Sequence, residues 1–144
     1  MPPRLSLLLC GLALALSSCS GQDRSIGDRI RSQVRASATA PLDLALVGPA
    51  GWERACVFGP YTTNDLVEAD LGFQWDADSK SAVSVDDGVH LIVFTRGQEV
   101  VAFADHRRRD GDFQSETRRC TSRAAPRLAR SVRPDGVPVF SVPH

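Results

Sequence analysis

Hydrophobic positions divide the chain into one long apolar run near its start and a series of short runs after it. The first run extends from Leu5 to Leu16, broken by Ser6, Cys10 and Gly11, and gives way to Ser17-Ser18-Cys19-Ser20-Gly21-Gln22-Asp23. It is shorter than the roughly 20 apolar residues a membrane-spanning helix needs. Further on, Ile26, Ile30 and Val34 recur every four residues, which predicts a helix with one narrow apolar stripe among Arg24, Arg29, Arg31 and Arg35. Ser25 to Asp28 has the spacing of a capping box, with Asp in place of Glu. The stripe can pack on the domain, which is the preferred expectation, or lie on a membrane surface. Ala36 to Pro41 reads as a connector.

The pattern then shortens. Leu42 to Val47 suits a strand or buried loop, and Gly48-Pro49-Ala50-Gly51 marks a turn. Trp52 to Phe58 is a strand candidate ended by Gly59-Pro60. Tyr61 to Asp65 supplies N-cap chemistry, Leu66, Val67 and Leu71 an apolar face, and Gly72 a C-terminal stop, so a short helix follows. Residues 74–88 read as a polar connection with a short strand over Ser81–Val85 and a turn at Asp86-Asp87-Gly88. Val89–Thr95 and Glu99–Ala104, joined by Arg96-Gly97-Gln98, predict a hairpin. Its apolar residues fall on both faces, Leu91 and Val93 against Ile92 and Phe94, so both faces need cover. The helix after Tyr61 is one cover. Gly136 to Val142 suggests a returning edge strand interrupted by Pro138. The sum is an α+β fold: an antiparallel sheet of four to five strands with a helix packed on one face, preceded by an N-terminal helix.

The close of the first apolar run resembles a known signal. A start carrying one arginine (Arg4), an apolar stretch of about a dozen residues, then Leu16-Ser17-Ser18-Cys19 is similar to the lipobox of bacterial lipoprotein precursors. The resemblance implies that residues 1–18 are removed as a signal peptide and that Cys19 becomes a lipid-modified N-terminus. Residues 19–41 then form a lipid-anchored tether and short helix, and residues 42–144 a single α+β domain with a basic C-terminal arm. Ser20, standing where Asp would signal retention, resembles the pattern that sorts lipoproteins to the outer membrane, with the domain on its periplasmic face.

Composition changes under that reading. Removal of residues 1–18 takes Arg4 and no acid, so 17 acidic residues face 16 basic ones. A net charge of about −1 argues against a general polyanion binder, and no nucleic-acid partner is expected. Every basic residue except Lys80 is an arginine. Between Thr117 and Pro134 the arginines 118, 119, 123, 127, 130 and 133 run with no acid among them. Arg123, Arg127, Arg130 and Arg133 are therefore candidates for contact with anionic lipid head groups or another acidic envelope polymer, with a solvated irregular arm as the plainer reading.

Two cysteines remain once Cys10 and Cys19 are accounted for. In an oxidising envelope Cys56 and Cys120 most simply form one disulfide, worth about 4 kcal/mol in the chain-entropy picture. No metal site is expected. Asp76-Ala77-Asp78-Ser79-Lys80 departs from a calcium loop, with Lys80 and Ser81 where that loop needs an oxygen ligand and glycine. No catalytic residue is assigned and no cofactor is implied: GxSxG, HExxH and phosphate-loop motifs do not occur. Asp105 adjoins His106 in sequence only, whereas an orienting carboxylate must adjoin its imidazole in space. His90, on the hairpin, reads as an exposed strand residue.

A second resemblance covers residues 50–115. Trp52, then Cys56-Val57-Phe58-Gly59-Pro60-Tyr61-Thr62, Leu71-Gly72 and Leu91-Ile92-Val93-Phe94 look like a group of small bacterial lipoproteins for which no activity is established. It implies architecture alone. The expected function is a lipid-anchored envelope protein that is a non-enzymatic interaction or structural module, with the membrane and an envelope protein as partners. The alternatives are a periplasmic small-ligand or lipid-binding module and, behind it, a hydrolase or redox enzyme.

Overall fold

A computed structural model describes residues 21–113 and 118–142. The chain opens with α1 (Arg24–Ala36), whose start is set by Asp23: its carboxylate accepts from the Ser25 amide at 2.9 Å. The expected capping box gives way to this earlier cap, and Asp28 pairs with Arg31 instead. Ile26 and Ile30 are fully buried and Val34 packs partly against the same cluster, so the apolar stripe belongs to the core. Burying two such side chains stabilises by roughly 1.5–3 kcal/mol each.

Two four-stranded sheets follow. The first joins β2 (Arg54–Phe58), β3 (Val89–Arg96), β4 (Glu99–Arg107) and β6 (Arg118–Ser122) in the antiparallel order β4-β3-β2-β6. The second joins β1 (Leu42–Asp43), β5 (Asp112–Phe113), β7 (Arg127–Val132) and β8 (Pro138–Ser141) in the order β1-β7-β8-β5, with β5 and β8 parallel. Helix α2 (Asn64–Leu71) ends at Gly72, which takes the left-handed conformation that glycine adopts without a Cβ penalty. The fold is α+β, as the sequence predicts.

Alternation along β2 and β3 divides the core. Ala55, Val57, Ile92 and Phe94 face α1 and the second sheet, whose Leu42, Leu128, Phe113 and Phe140 complete that cluster. Cys56, Phe58, Leu91 and Val93 face α2 and the loop after it, meeting Val67, Leu71, Ala77 and Val83. Both faces of the central strands are covered, as their double-sided apolar pattern requires. Gly48 is fixed by this packing, since a Cβ there would stand 2.6 Å from both Trp52 and Phe94, whose rings meet edge to face at 5.3 Å.

The second sheet is the main departure from the sequence reading. The stretch expected as an irregular arm supplies β6 and β7, and the strand expected over Gly136 to Val142 forms as β8 but lies inside its sheet rather than at an edge. Pro138 is tolerated as the first residue of the strand, where a missing N–H costs least. Ser81–Val85 forms turns instead of a strand, held by amide bonds from Val85 and Asp86 to the Ala82 carbonyl. The hairpin loop shortens to Gly97-Gln98 because β3 runs on through Arg96, and Gly97 takes φ 55°.

Candidate functional site

Cys19 lies outside the described residues, but the chain just beyond it is closely held. The Gln22 side-chain amide is used at both ends: Nε2 donates to the Lys80 carbonyl at 3.0 Å and Oε1 accepts from the Asp105 amide at 3.2 Å. The Asp23 amide then donates to the Phe103 carbonyl at 2.8 Å. β4 is an edge strand, and these bonds satisfy outward-facing groups that would otherwise be left to water. Residues 22 and 23 thus pin the segment just before α1 to the edge of the first sheet.

The second construction is the disulfide. β2 and β6 place Cys56 opposite Cys120 with Cα atoms 4.0 Å apart, and the two are bonded. Arg54, on the same face of β2, reaches past the bridge to donate to the carbonyls of Asp70 and Leu71 at 2.8 and 3.3 Å. A cation there satisfies C-terminal carbonyls of α2 and complements its dipole.

A buried polar cluster joins the two sheets. His90 and His106 are cross-strand partners on β3 and β4, each 1% exposed, and Phe113 of β5 meets both rings edge to face at 5.5 and 5.8 Å. His90 Nε2 lies 2.7 Å from Asp112 Oδ1, with the Phe113 amide 3.2 Å from the same nitrogen. A proton must lie between Nε2 and Oδ1 at that separation, since two facing lone pairs would repel, and it competes with the Phe113 N–H aimed at the same nitrogen. Asp112 also accepts from Arg108 Nε at 3.2 Å, Arg108 Nη2 at 2.9 Å and Arg133 Nη1 at 2.9 Å. Burial pushes its carboxyl up, and the hydrogen bonds from Arg108 and His90 outweigh that and hold it below the usual range. Burial likewise lowers His90, against an opposing pull from Asp112. For His106 burial dominates and lowers the imidazole to about 4; among the described residues neither of its ring nitrogens makes a hydrogen bond.

His90 is therefore the reverse of the exposed strand residue the sequence suggested, because the second sheet covers its face. Asp105 and His106, neighbours in sequence, point to opposite faces of β4 as strand alternation demands: Asp105 accepts from the Ser81 hydroxyl and the Ala82 amide. A histidine–carboxylate pair is one part of a proton-transfer device, but this one is closed to solvent and its other imidazole nitrogen has no described partner. What the arrangement does is tie β3, β5, the turn after β4 at Arg108 and the residue just past β7, Arg133, to one anion.

The four candidate arginines of the C-terminal segment are each engaged within the fold. Arg123 lies over the Trp52 ring at 5.3 Å, Arg127 stands 3.6 Å from Asp43, Arg130 donates to the Ser37 carbonyl, and Arg133 joins Asp112 and Asp135. Among the described residues no group of His, Cys, Asp and Glu could hold a metal ion, and no helix is long and apolar enough to cross a membrane. Asp76 instead accepts from the Ser79 amide in a local turn. The Gln22 clamp and the Asp112 cluster were missed from sequence; for the latter, arginines four residues before and further beyond an isolated Asp-Phe pair were the only signal. No family model matches the chain, and no curated protein or solved structure matches it.

Proposed function

We propose that the protein is a lipid-anchored component of a bacterial cell envelope, held at the membrane through Cys19, whose domain acts by binding an envelope protein rather than by catalysis. The observation that carries this reading is the Leu16-Ser17-Ser18-Cys19 motif after an apolar run, with Gln22, three positions past Cys19, bonded to the domain at Lys80 and Asp105. The Cys56–Cys120 bridge suits an oxidising compartment. The polar groups that could do chemistry, His90, His106 and Asp112, are at most 5% exposed and face one another rather than a cleft. The outer membrane, periplasmic side, is the location that Ser20 favours.

In-cell crosslinking of the full-length chain, followed by mass-spectrometric identification of what is captured, tests the reading. A single partner recovered in comparable amount, and lost when Cys19→Ala removes the anchor, supports it. Recovery of only the abundant background that an unrelated lipoprotein also captures counts against it.

A further inference from the structure

The point where the chain joins the fold identifies the surface that meets the lipid. Gln22 and Asp23 are fastened to the outer edge of β4 at Phe103 and Asp105. Beside them runs a groove lined by Trp75, Val100 and Ala102 together with the charged Asp23, Arg96 and Glu99. Trp75, Val100, Val101 and Ala102 are half-buried and Arg96 and Glu99 exposed, so this edge presents apolar and charged side chains together to its surroundings. Trp75 is held in place edge-on to Phe103 at 5.1 Å. A tryptophan with an apolar body and a polar N–H is the residue type that settles at a membrane–water interface.

Chain length supplies the rest. Three residue steps separate Cys19 from Gln22, and whatever conformation they take, they span at most about 11 Å. A polar interfacial layer of roughly 5–7 Å lies outside the hydrocarbon on each side of a bilayer. A domain pinned at Gln22 cannot swing freely on so short a tether. We propose that the outer edge of β4 and Trp75 rest against the phospholipid head groups of the membrane in which Cys19 is anchored, with the β6 edge directed away. This rests on the lipid-anchor reading above. β6 is three strands from β4, roughly 14 Å across the sheet, and Ala124 just beyond it is exposed.

The test uses the full-length lipidated protein reconstituted in phosphatidylethanolamine–phosphatidylcholine vesicles that contain phospholipid with a nitroxide on its head group. The chain has two tryptophans, and Trp52 is buried in the core. The proposal expects strong loss of tryptophan emission by the nitroxide lipid, and disappearance of that loss in Trp75→Phe. In the Trp75→Phe background, Ala124→Trp restores exposed emission that the nitroxide leaves intact. Quenching at both positions alike, at neither, or at 124 alone overturns the orientation. Intact mass on the same sample separates the two readings: an acylated Cys19 with unquenched Trp75 contradicts the orientation only, whereas an unmodified Cys19 overturns the anchor and the orientation with it.

Discussion

His90 of the first sheet and Asp112 of the second meet at 2.7 Å with side chains 2% and 7% exposed, and this contact joins the two layers inside the protein. Removing one partner of a buried pair leaves the other uncompensated, at about 3–5 kcal/mol. Arg108 and Arg133 keep partial access to water, so Asp112→Ala should cost toward the lower end, about 3 kcal/mol. Urea unfolding measures it. A loss below about 1 kcal/mol would show the cluster to be dispensable.

Stability should fall on mild acidification. His106 has its folded-state value lowered from 6.5 to about 4 by burial, so between those values the unfolded chain binds the proton more readily. The contribution is complete above pH 6.5 and is lost as pH drops toward 4. One imidazole shifted this far is worth roughly 3 kcal/mol, and the lowered His90 adds in the same direction. His106→Leu removes a buried ring whose two nitrogens make no hydrogen bond among the described residues and should flatten the profile without destabilising at pH 7. Melting curves from pH 7 to pH 4 decide this, and an unchanged slope in the variant contradicts it.

Gly48→Ala should destabilise, because the new methyl falls 2.6 Å from Trp52 and Phe94, both at most 1% exposed. Overpacking of this kind costs about 1–3 kcal/mol. Gly97→Ala, at a position with nothing within 4 Å but φ 55°, makes a useful comparison, since its penalty is conformational and stays near 1 kcal/mol. Thermal unfolding of the two variants should rank them in that order.

Reducing the Cys56–Cys120 bridge, which spans 64 residues of sequence, should lower the unfolding free energy by about 4 kcal/mol in the chain-entropy picture. Thiol titration of the native protein should find neither cysteine reactive. A free thiol at Cys56 in the native protein, or equal stability with and without reductant, would contradict the bridge.

The legible part of the sequence was that in which local chemistry decides structure. Ile26 and Ile30 announced a buried helical stripe, Gly72 stopped α2, and the two-sided apolar runs around Ile92 required cover on both faces. Cys56 and Cys120 were paired by count. The second sheet was legible only at β8, because β7 carries few apolar residues and the sheet is built by pairing β7 and β8 with each other and with β1 and β5, contacts largely far apart in sequence. His90 was misjudged for that reason: a histidine on a strand is exposed or buried according to what lies over it, and here that is Phe113. Asp112 carries no local signature, since its meaning comes from Arg108, Arg133 and His90 together.

The fate of Cys19 decides whether the protein is lipid-anchored. Intact mass of the protein extracted in detergent from a bacterial host that processes lipoproteins measures it directly. A lipid-anchored protein gives a chain beginning at Cys19 with added mass of a diacylglyceryl group, and digestion should place that mass on the N-terminal peptide. A mature chain starting at another residue, or a Cys19 with an unmodified thiol, would contradict it.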